Sequence, residues 1–315
     1  MSDGVDDSLP ELPLPAGVKS AYTTNINGVC KMHYLSAGAE GSPLLLLLHG
    51  FPEIAYSWRH VLQPLADAGY HAVAPDLRGY GRSVRIGYRE QFAEGDALVQ
   101  FREMNRVRDM VCFVAALGYT ECEVVGHDFG STRAFWCALV RPDVFRSLTM
   151  MSAPISPPPA ARVSSSASRS EGAAGKTGSR AAVSGDDDVH EQLRTLGRQH
   201  YQQYYCLAQA NGELMGSNLN SFFRDYYHMK SADWSPNERA VAADLAPLEW
   251  SAAELSKLPT YYVMDMGVSM PETVAAQRPS AAVVTQHSSR WFTDADVAVY
   301  AAEYGRTGLD ARTRV

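Results

Sequence analysis

A chain of 315 residues has room for one large domain or two small ones, and 46% hydrophobic with 20% charged residues is the balance of a soluble globular protein. A net charge of −7 argues against a nucleic-acid partner. The longest apolar run, Leu44 to Leu48, is far too short to span a bilayer, and Met1 to Gly17 lacks the basic start and apolar stretch of a signal peptide.

The five cysteines, Cys30, Cys112, Cys122, Cys137 and Cys206, are odd in number, scattered and without C-x-x-C spacing. That pattern fits neither a disulfide framework nor a zinc site, so the expected compartment is the reducing cytoplasm.

In chain order, residues 1–17 read as an acidic, Pro-rich disordered tail. Val18 to Thr24 and Val29 to Leu35 read as two strands around the turn Asn25-Ile26-Asn27-Gly28. Pro43 to Leu48 is a continuous apolar run, expected of a strand buried on both faces. It runs into His49-Gly50-Phe51-Pro52-Glu53. Ser57 to Ala68 places Trp58, Val61, Leu62 and Leu65 on one helical face. Tyr70 to Pro75 is a further buried strand and leads into Asp76-Leu77-Arg78-Gly79-Tyr80-Gly81-Arg82-Ser83. Met104 to Leu117 reads as a helix, and Arg146 to Ser152 as another strand. Alternation of strand and helix predicts an α/β fold with a doubly wound, mostly parallel sheet, whose ligands bind beyond the carboxyl ends of the strands.

Residues 156–189 change character. Ser-Pro-Pro-Pro, a Ser-rich run, several Gly and three consecutive Asp form a low-complexity insertion that is expected to remain disordered, because it has too little apolar surface to bury. Residues 190–315 read as helical and aromatic-rich, with helices over Leu193 to Cys206, Leu219 to Met229, Ala240 to Leu245 and Asp294 to Tyr304. Tyr261 to Met264 is a short strand pattern with no evident partner.

The chemistry is concentrated at Glu121 to Ser131. A β-branched run enters Gly126-His127-Asp128-Phe129-Gly130, and a helical pattern follows from Ser131 to Leu139. Small residues two positions either side of a central nucleophile are what a sharp strand-to-helix elbow needs. The central residue is Asp128 rather than Ser. A carboxylate there points to attack on a saturated carbon through an alkyl ester. No G-x-S-x-G occurs, which argues against a serine esterase.

His49 to Glu53, Asp76 to Ser83 and Gly126 to Gly130, in this order, resemble the α/β-hydrolase epoxide hydrolases. Arg198 to Tyr205, Phe223 to Ser231 and Glu303 to Gly308 resemble the helical lid of that family, especially its fungal members. On this resemblance, residues 18–155 form the N-terminal part of the core and residues 190–315 the lid. It implies Asp128 as nucleophile and the backbone N–H groups of Phe51 and Phe129 as oxyanion hole. His49 and Pro52 shape that loop, with Pro52 following a cis bond. Trp58 lines the pocket, and Tyr201 donates a hydrogen bond to the epoxide oxygen, with Tyr204 and Tyr205 as competitors for that role. The implied substrate is a small apolar epoxide and the product a vicinal diol. No metal or nucleotide cofactor is implied.

Past Gly308 the resemblance stops. The family continues with a second lid Tyr, two more core strands, a charge-relay acid and a His base. The chain is therefore read as truncated, with an exposed sheet edge and with ester formation but not ester hydrolysis, or as a non-catalytic remnant or binding protein. Haloalkane or haloacid dehalogenation is a further alternative on the same fold. It is disfavoured because Phe51 and Phe129 replace the halide-holding Asn and Trp, and no Arg follows Asp128.

Overall fold

The computed structural model describes residues 9–26, 30–85, 101–153, 186–237 and 251–309. The predicted helix over Ala240 to Leu245 and most of the 156–189 segment lie outside these residues. The strands of the core are β1 (Lys19–Ile26), β2 (Cys30–Ala37), β3 (Leu44–Leu48), β4 (His71–Pro75), β5 (Val84–Arg85), β6 (Cys122–His127) and β7 (Phe145–Met151). Its helices are α1 (Arg59–Asp67), α2 (Glu103–Ala116) and α3 (Phe129–Val140). The sheet order is β1-β2-β4-β3-β6-β7, with β5 paired to β2.

β4, β3, β6 and β7 run parallel, and β1 and β2 add an antiparallel flank. Every residue of β3 and β4 is buried, as their unbroken apolar runs demand. Because β3 and β6 are adjacent and parallel, the loops at their carboxyl ends emerge side by side. Those loops are His49 to Glu53 and the Asp128 turn. Among the described residues β7 forms the outer edge of the sheet. Its side chains beyond Phe145 are exposed or half-buried.

The remaining helices are α4 (Asp186–Thr195), α5 (Tyr201–Tyr205), α6 (Ala210–Met215), α7 (Leu219–Met229), α8 (Ala252–Leu255), α9 (Met270–Ala275), α10 (Ala281–Gln286) and α11 (Asp294–Thr307). Since α4 begins at Asp186, the last four residues of the 156–189 segment are helical. Two expectations for this region are corrected. The helix predicted over Leu193 to Cys206 is broken by strand β8 (Arg198–His200), and the Tyr261 to Met264 strand, observed as β9 (Val263–Asp265), does have a partner. It pairs antiparallel with β8, with Arg198 opposite Asp265 and His200 opposite Val263. Gly197 at φ 70 supplies the left-handed residue that ends α4 and turns the chain into β8.

Buried polar contacts fix the core loops and fasten α11 to them. The Asp76 carboxylate accepts the N–H groups of Ala55 at 2.7 Å and Arg82 at 2.8 Å, and its Oδ2 lies 2.7 Å from His33 Nδ1. Arg82 pairs with Glu303 at 2.7 Å, and Arg59 with Asp296 at 2.9 Å. Asp296 also closes a capping box with Thr293 at the start of α11. No helix among the described residues is long and apolar enough to cross a membrane.

Burial raises the Asp76 pKa, but the charge and hydrogen bond of His33, with further help from His49 and the Arg82 N–H, outweigh it and leave the carboxyl below its ordinary value. A carboxyl depressed in the folded state contributes stability above its unfolded pKa of about 4, and that contribution is lost as pH falls through the folded value. Asp76→Asn is therefore expected to cost about 3–5 kcal/mol at neutral pH. Urea unfolding at pH 7 and at pH 3 measures this, with a smaller difference between the two proteins at pH 3.

Candidate active site

Asp128 sits between β6 and α3 at φ 54 and ψ −124. The turn is possible because its glycines have no side chain. A Cβ on Gly126 would lie 2.2 Å from the Gly130 carbonyl oxygen, and one on Gly130 would lie 2.2 Å from that of Leu48. Gly50 approaches from the facing loop, where a Cβ would come within 2.4 Å of the Asp128 Cβ. Ser131, fully buried, donates from Oγ to the carbonyls of Gly126 at 2.7 Å and Met151 at 2.9 Å. The Asp128 N–H donates to the same Met151 carbonyl at 3.0 Å. The end of β7 thus braces the elbow from the side.

Asp128 is held from the front by backbone. Its Oδ1 accepts the Phe51 N–H at 3.0 Å, and the Phe129 N–H favours the charged form of the carboxylate. Burial pushes the Asp128 pKa up, while these two N–H groups and the charge of Lys230 oppose the rise. The net shift is upward.

The loop carrying Phe51 is itself well anchored. The Phe51–Pro52 bond is cis. His49 is fully buried, with Nδ1 2.8 Å from the Gly50 carbonyl and Nε2 accepting the Leu77 N–H at 3.0 Å. That bonding pattern requires the neutral tautomer with Nδ1 protonated, and burial lowers the His49 pKa in agreement. Glu53 accepts the Gly50 N–H at 2.7 Å and pairs with His127 Nδ1 at 2.9 Å. The hydrogen bond to Glu53 raises the His127 pKa, against burial. From α11, Tyr304 donates to the Glu53 carbonyl, and from α7, Tyr227 donates to the Pro52 carbonyl, each at 2.9 Å.

Tyr201 opens α5. Burial and then the charge of Asp128 raise its pKa to about 12. Its ring packs edge-on against Tyr262 at 5.7 Å and Tyr205 at 6.2 Å, and Tyr205 meets Phe51 at 5.1 Å. Tyr204 is committed elsewhere, donating to Glu213 at 2.8 Å. The hydroxyl of Tyr205 is buried without a hydrogen-bond partner among the described residues. Trp58 packs into the main core, and its indole N–H likewise has no partner there. Asp128, Phe51, Phe129, His49, Pro52 and Tyr201 are thus brought together, whereas nothing joins Trp58 directly to Asp128.

The motifs did not single out Tyr226 and Lys230 of the α7 region. The charge of Asp128 reaches the Tyr226 hydroxyl, and the charge of Lys230 reaches Asp128. Both residues stand in a segment, Phe223 to Ser231, whose resemblance to the family lid was the available signal. The Glu53–His127 pair joins two motifs 74 residues apart and had no local signature.

Residues 43–176 match a family model described as the alpha/beta hydrolase fold. Epoxide hydrolase B of Mycobacterium tuberculosis is 32% identical over 271 residues, which is 86% of this chain and 68% of that protein. The chain belongs to the epoxide hydrolase family of α/β hydrolases. Epoxide hydrolase 3 of Siraitia grosvenorii is 41% identical over 130 residues, 41% of this chain and 37% of the relative. Among solved structures, an epoxide hydrolase from an endophytic Streptomyces superposes with a TM-score of 0.61 at 28% identity, covering 95% of this chain and 71% of that one. Family membership makes the chain a hydrolase.

Close backbone approach, rather than glycine flexibility in general, is what the elbow requires. Gly130→Ala is expected to cost about 3 kcal/mol, because its Cβ meets backbone that has no room to shift. Gly212→Ala, in open space on α6, is expected to be neutral or to stabilise by about 0.5 kcal/mol. Chemical denaturation of the two variants beside the parent tests the contrast.

Proposed function

We propose that this chain opens small apolar epoxides by covalent catalysis at Asp128. The observation that carries the reading is the Phe51 N–H bond to Asp128 Oδ1 at 3.0 Å. It fixes Oδ1, and in this reading Oδ2 is the oxygen that attacks. Oδ2 forms a bond to one epoxide carbon, the carbon–oxygen bond of the ring breaks, and its electron pair moves to the epoxide oxygen. Tyr201 donates its hydroxyl proton to that oxygen, so the leaving group departs as an alcohol. The product is a hydroxyalkyl ester of Asp128.

Attack of water on the ester carbonyl would release a vicinal diol. The tetrahedral oxyanion of that step falls where Oδ1 now lies, within reach of the Phe51 and Phe129 N–H groups. Phe51, Tyr201, Tyr205 and Tyr262 pack ring against ring into an aromatic wall that includes the loop holding Asp128, which supports an apolar substrate. The phenyl side chains of Phe51 and Phe129 have no donor for a halide, so nothing favours dehalogenation.

All nine histidines lie among the described residues, and none hydrogen-bonds Asp128. In this reading, ester formation therefore outpaces ester hydrolysis. Exposure to styrene oxide is expected to add one alkyl group per chain, on the peptide holding Asp128, and Asp128→Asn is expected to stay unlabelled. Tyr201→Phe is expected to slow labelling by about 10²-fold. Because burial raises the Asp128 pKa, the labelling rate should fall with pH through a midpoint above the ordinary carboxylate value of about 4. Intact-protein mass spectrometry with peptide mapping reads all three. A label elsewhere contradicts the ring-opening step, and sustained diol production contradicts the slow hydrolysis.

A further inference from the structure

The leaving oxygen has been assigned one donor, Tyr201. A cation stands on the same aromatic wall. Lys230 follows the last residue of α7, and its Nζ lies 4.8 Å from the ring centroid of Tyr262, 5.1 Å from that of Tyr226 and 5.4 Å from that of Tyr261. Such a cage holds an ammonium by the electron-rich ring faces without neutralising it. Among the described residues, no carboxylate forms an ion pair with Lys230.

The cage is continuous with the proton donor. Tyr262 packs against the Tyr201 ring at 5.7 Å, and its carbonyl accepts the Tyr201 backbone N–H at 2.8 Å. The side chain of Lys230 is half-buried, and its charge lowers the pKa of Asp128, Tyr201 and His127 alike. One ammonium therefore acts on the nucleophile, on the donor and on the imidazole next to the nucleophile. The surroundings are otherwise short of positive charge. The titratable and charged groups facing Asp128 are Glu53 and His127 from the core, Tyr201 from α5, and Tyr226 and Lys230 from the α7 region. Those facing Lys230 are Tyr226, Tyr261 and Tyr262 in the cage, with Tyr201, His127 and Asp128 beyond them.

We infer that Lys230 is a positioning residue for ring opening, whose caged ammonium offsets the negative charge that moves from Asp128 to the epoxide oxygen beside Tyr201. The inference rests on the ring-opening reading above. During attack, negative charge leaves the carboxylate and develops on the wall that carries both Tyr201 and the cage. A fixed cation on that wall is worth more in the transition state than before it, which is the condition for acceleration. The cation also keeps Asp128 ionised against the burial that favours its neutral form.

Lys230→Met keeps the stem and removes the charge, and Lys230→Arg keeps the charge. With styrene oxide as probe, Lys230→Met is expected to be alkylated about 10- to 100-fold more slowly than the parent. The acid limb of its rate–pH profile is expected to move to higher pH, because Asp128 loses its cation. Lys230→Arg is expected to recover most of the rate and the position of that limb. An unchanged rate and profile in Lys230→Met overturns the inference, and so does a Lys230→Arg protein as slow as Lys230→Met, since a packing role alone would account for that. If the parent chain is not alkylated at all, the ring-opening reading fails and the role of Lys230 fails with it. Alkylation of the parent together with an unaffected Lys230→Met isolates the failure to Lys230.

Discussion

The bond from the Phe51 N–H to the Asp128 carboxylate joins two loops 77 residues apart in the chain. Each loop on its own is a strained or irregular connection. Together they hold Oδ1 of the Asp128 carboxylate against the Phe51 N–H. The sheet brings them together: β3 and β6 pair in parallel from Leu45 opposite Glu123 to Leu48 opposite Gly126, so both strands end level. The register of that one strand pair sets the distance between the Phe51 N–H and the Asp128 carboxylate. A slip of one residue would exchange the two faces of β6 and carry Asp128 away from Phe51.

Support for the bond comes from every side and in different chemical forms. Below it, absent side chains at Gly126 and Gly130 let the elbow lie against β3. Beside it, the Met151 carbonyl collects the Asp128 N–H and the Ser131 hydroxyl. Above it, Tyr227 and Tyr304 donate to the carbonyls of Pro52 and Glu53, so α7 and α11 grip the backbone of the loop that carries the donor. Their phenolic O–H groups find partners, which buried tyrosines require, and their rings remain in the aromatic cluster of α7 and α11. Further out, the Arg82–Glu303 and Arg59–Asp296 pairs tie α11 to the core loops, with both members of each pair largely buried. Removing one partner from such a pair strands a charge, so these contacts also fix where α11 sits.

Much of this was legible in the residues themselves. The apolar runs of β3 and β4 announced buried parallel strands, and the two glycines flanking Asp128 announced the elbow. The cis Phe51–Pro52 bond and the structural role of His49 followed from the motif that contains them. What was not legible depended on distance. β8 is three residues, too short for a periodic signal, and the Tyr261 to Met264 strand pattern gave no cue to the partner with which β9 pairs. Glu53 and His127 carry no local cue to their partnership. Lys230 ends an amphipathic helix and reads as an ordinary solvated lysine until three tyrosine rings from two segments converge on it. Tyr201, Tyr204 and Tyr205 compete for one role in a Tyr-Gln-Gln-Tyr-Tyr run, and the contact that sets Tyr204 apart, its bond to Glu213, comes from a residue one helix away.

The claim at the centre of this account is that the carboxylate has a held oxygen and an attacking oxygen. The crystal structure of the chain after exposure to styrene oxide tests it most directly. The account predicts continuous density from Asp128 Oδ2 to an epoxide-derived carbon, Oδ1 still within hydrogen-bond distance of the Phe51 N–H and also reached by that of Phe129, and the new hydroxyl facing Tyr201. An adduct on another side chain, or an ester whose carbonyl oxygen has left those two N–H groups, would contradict it.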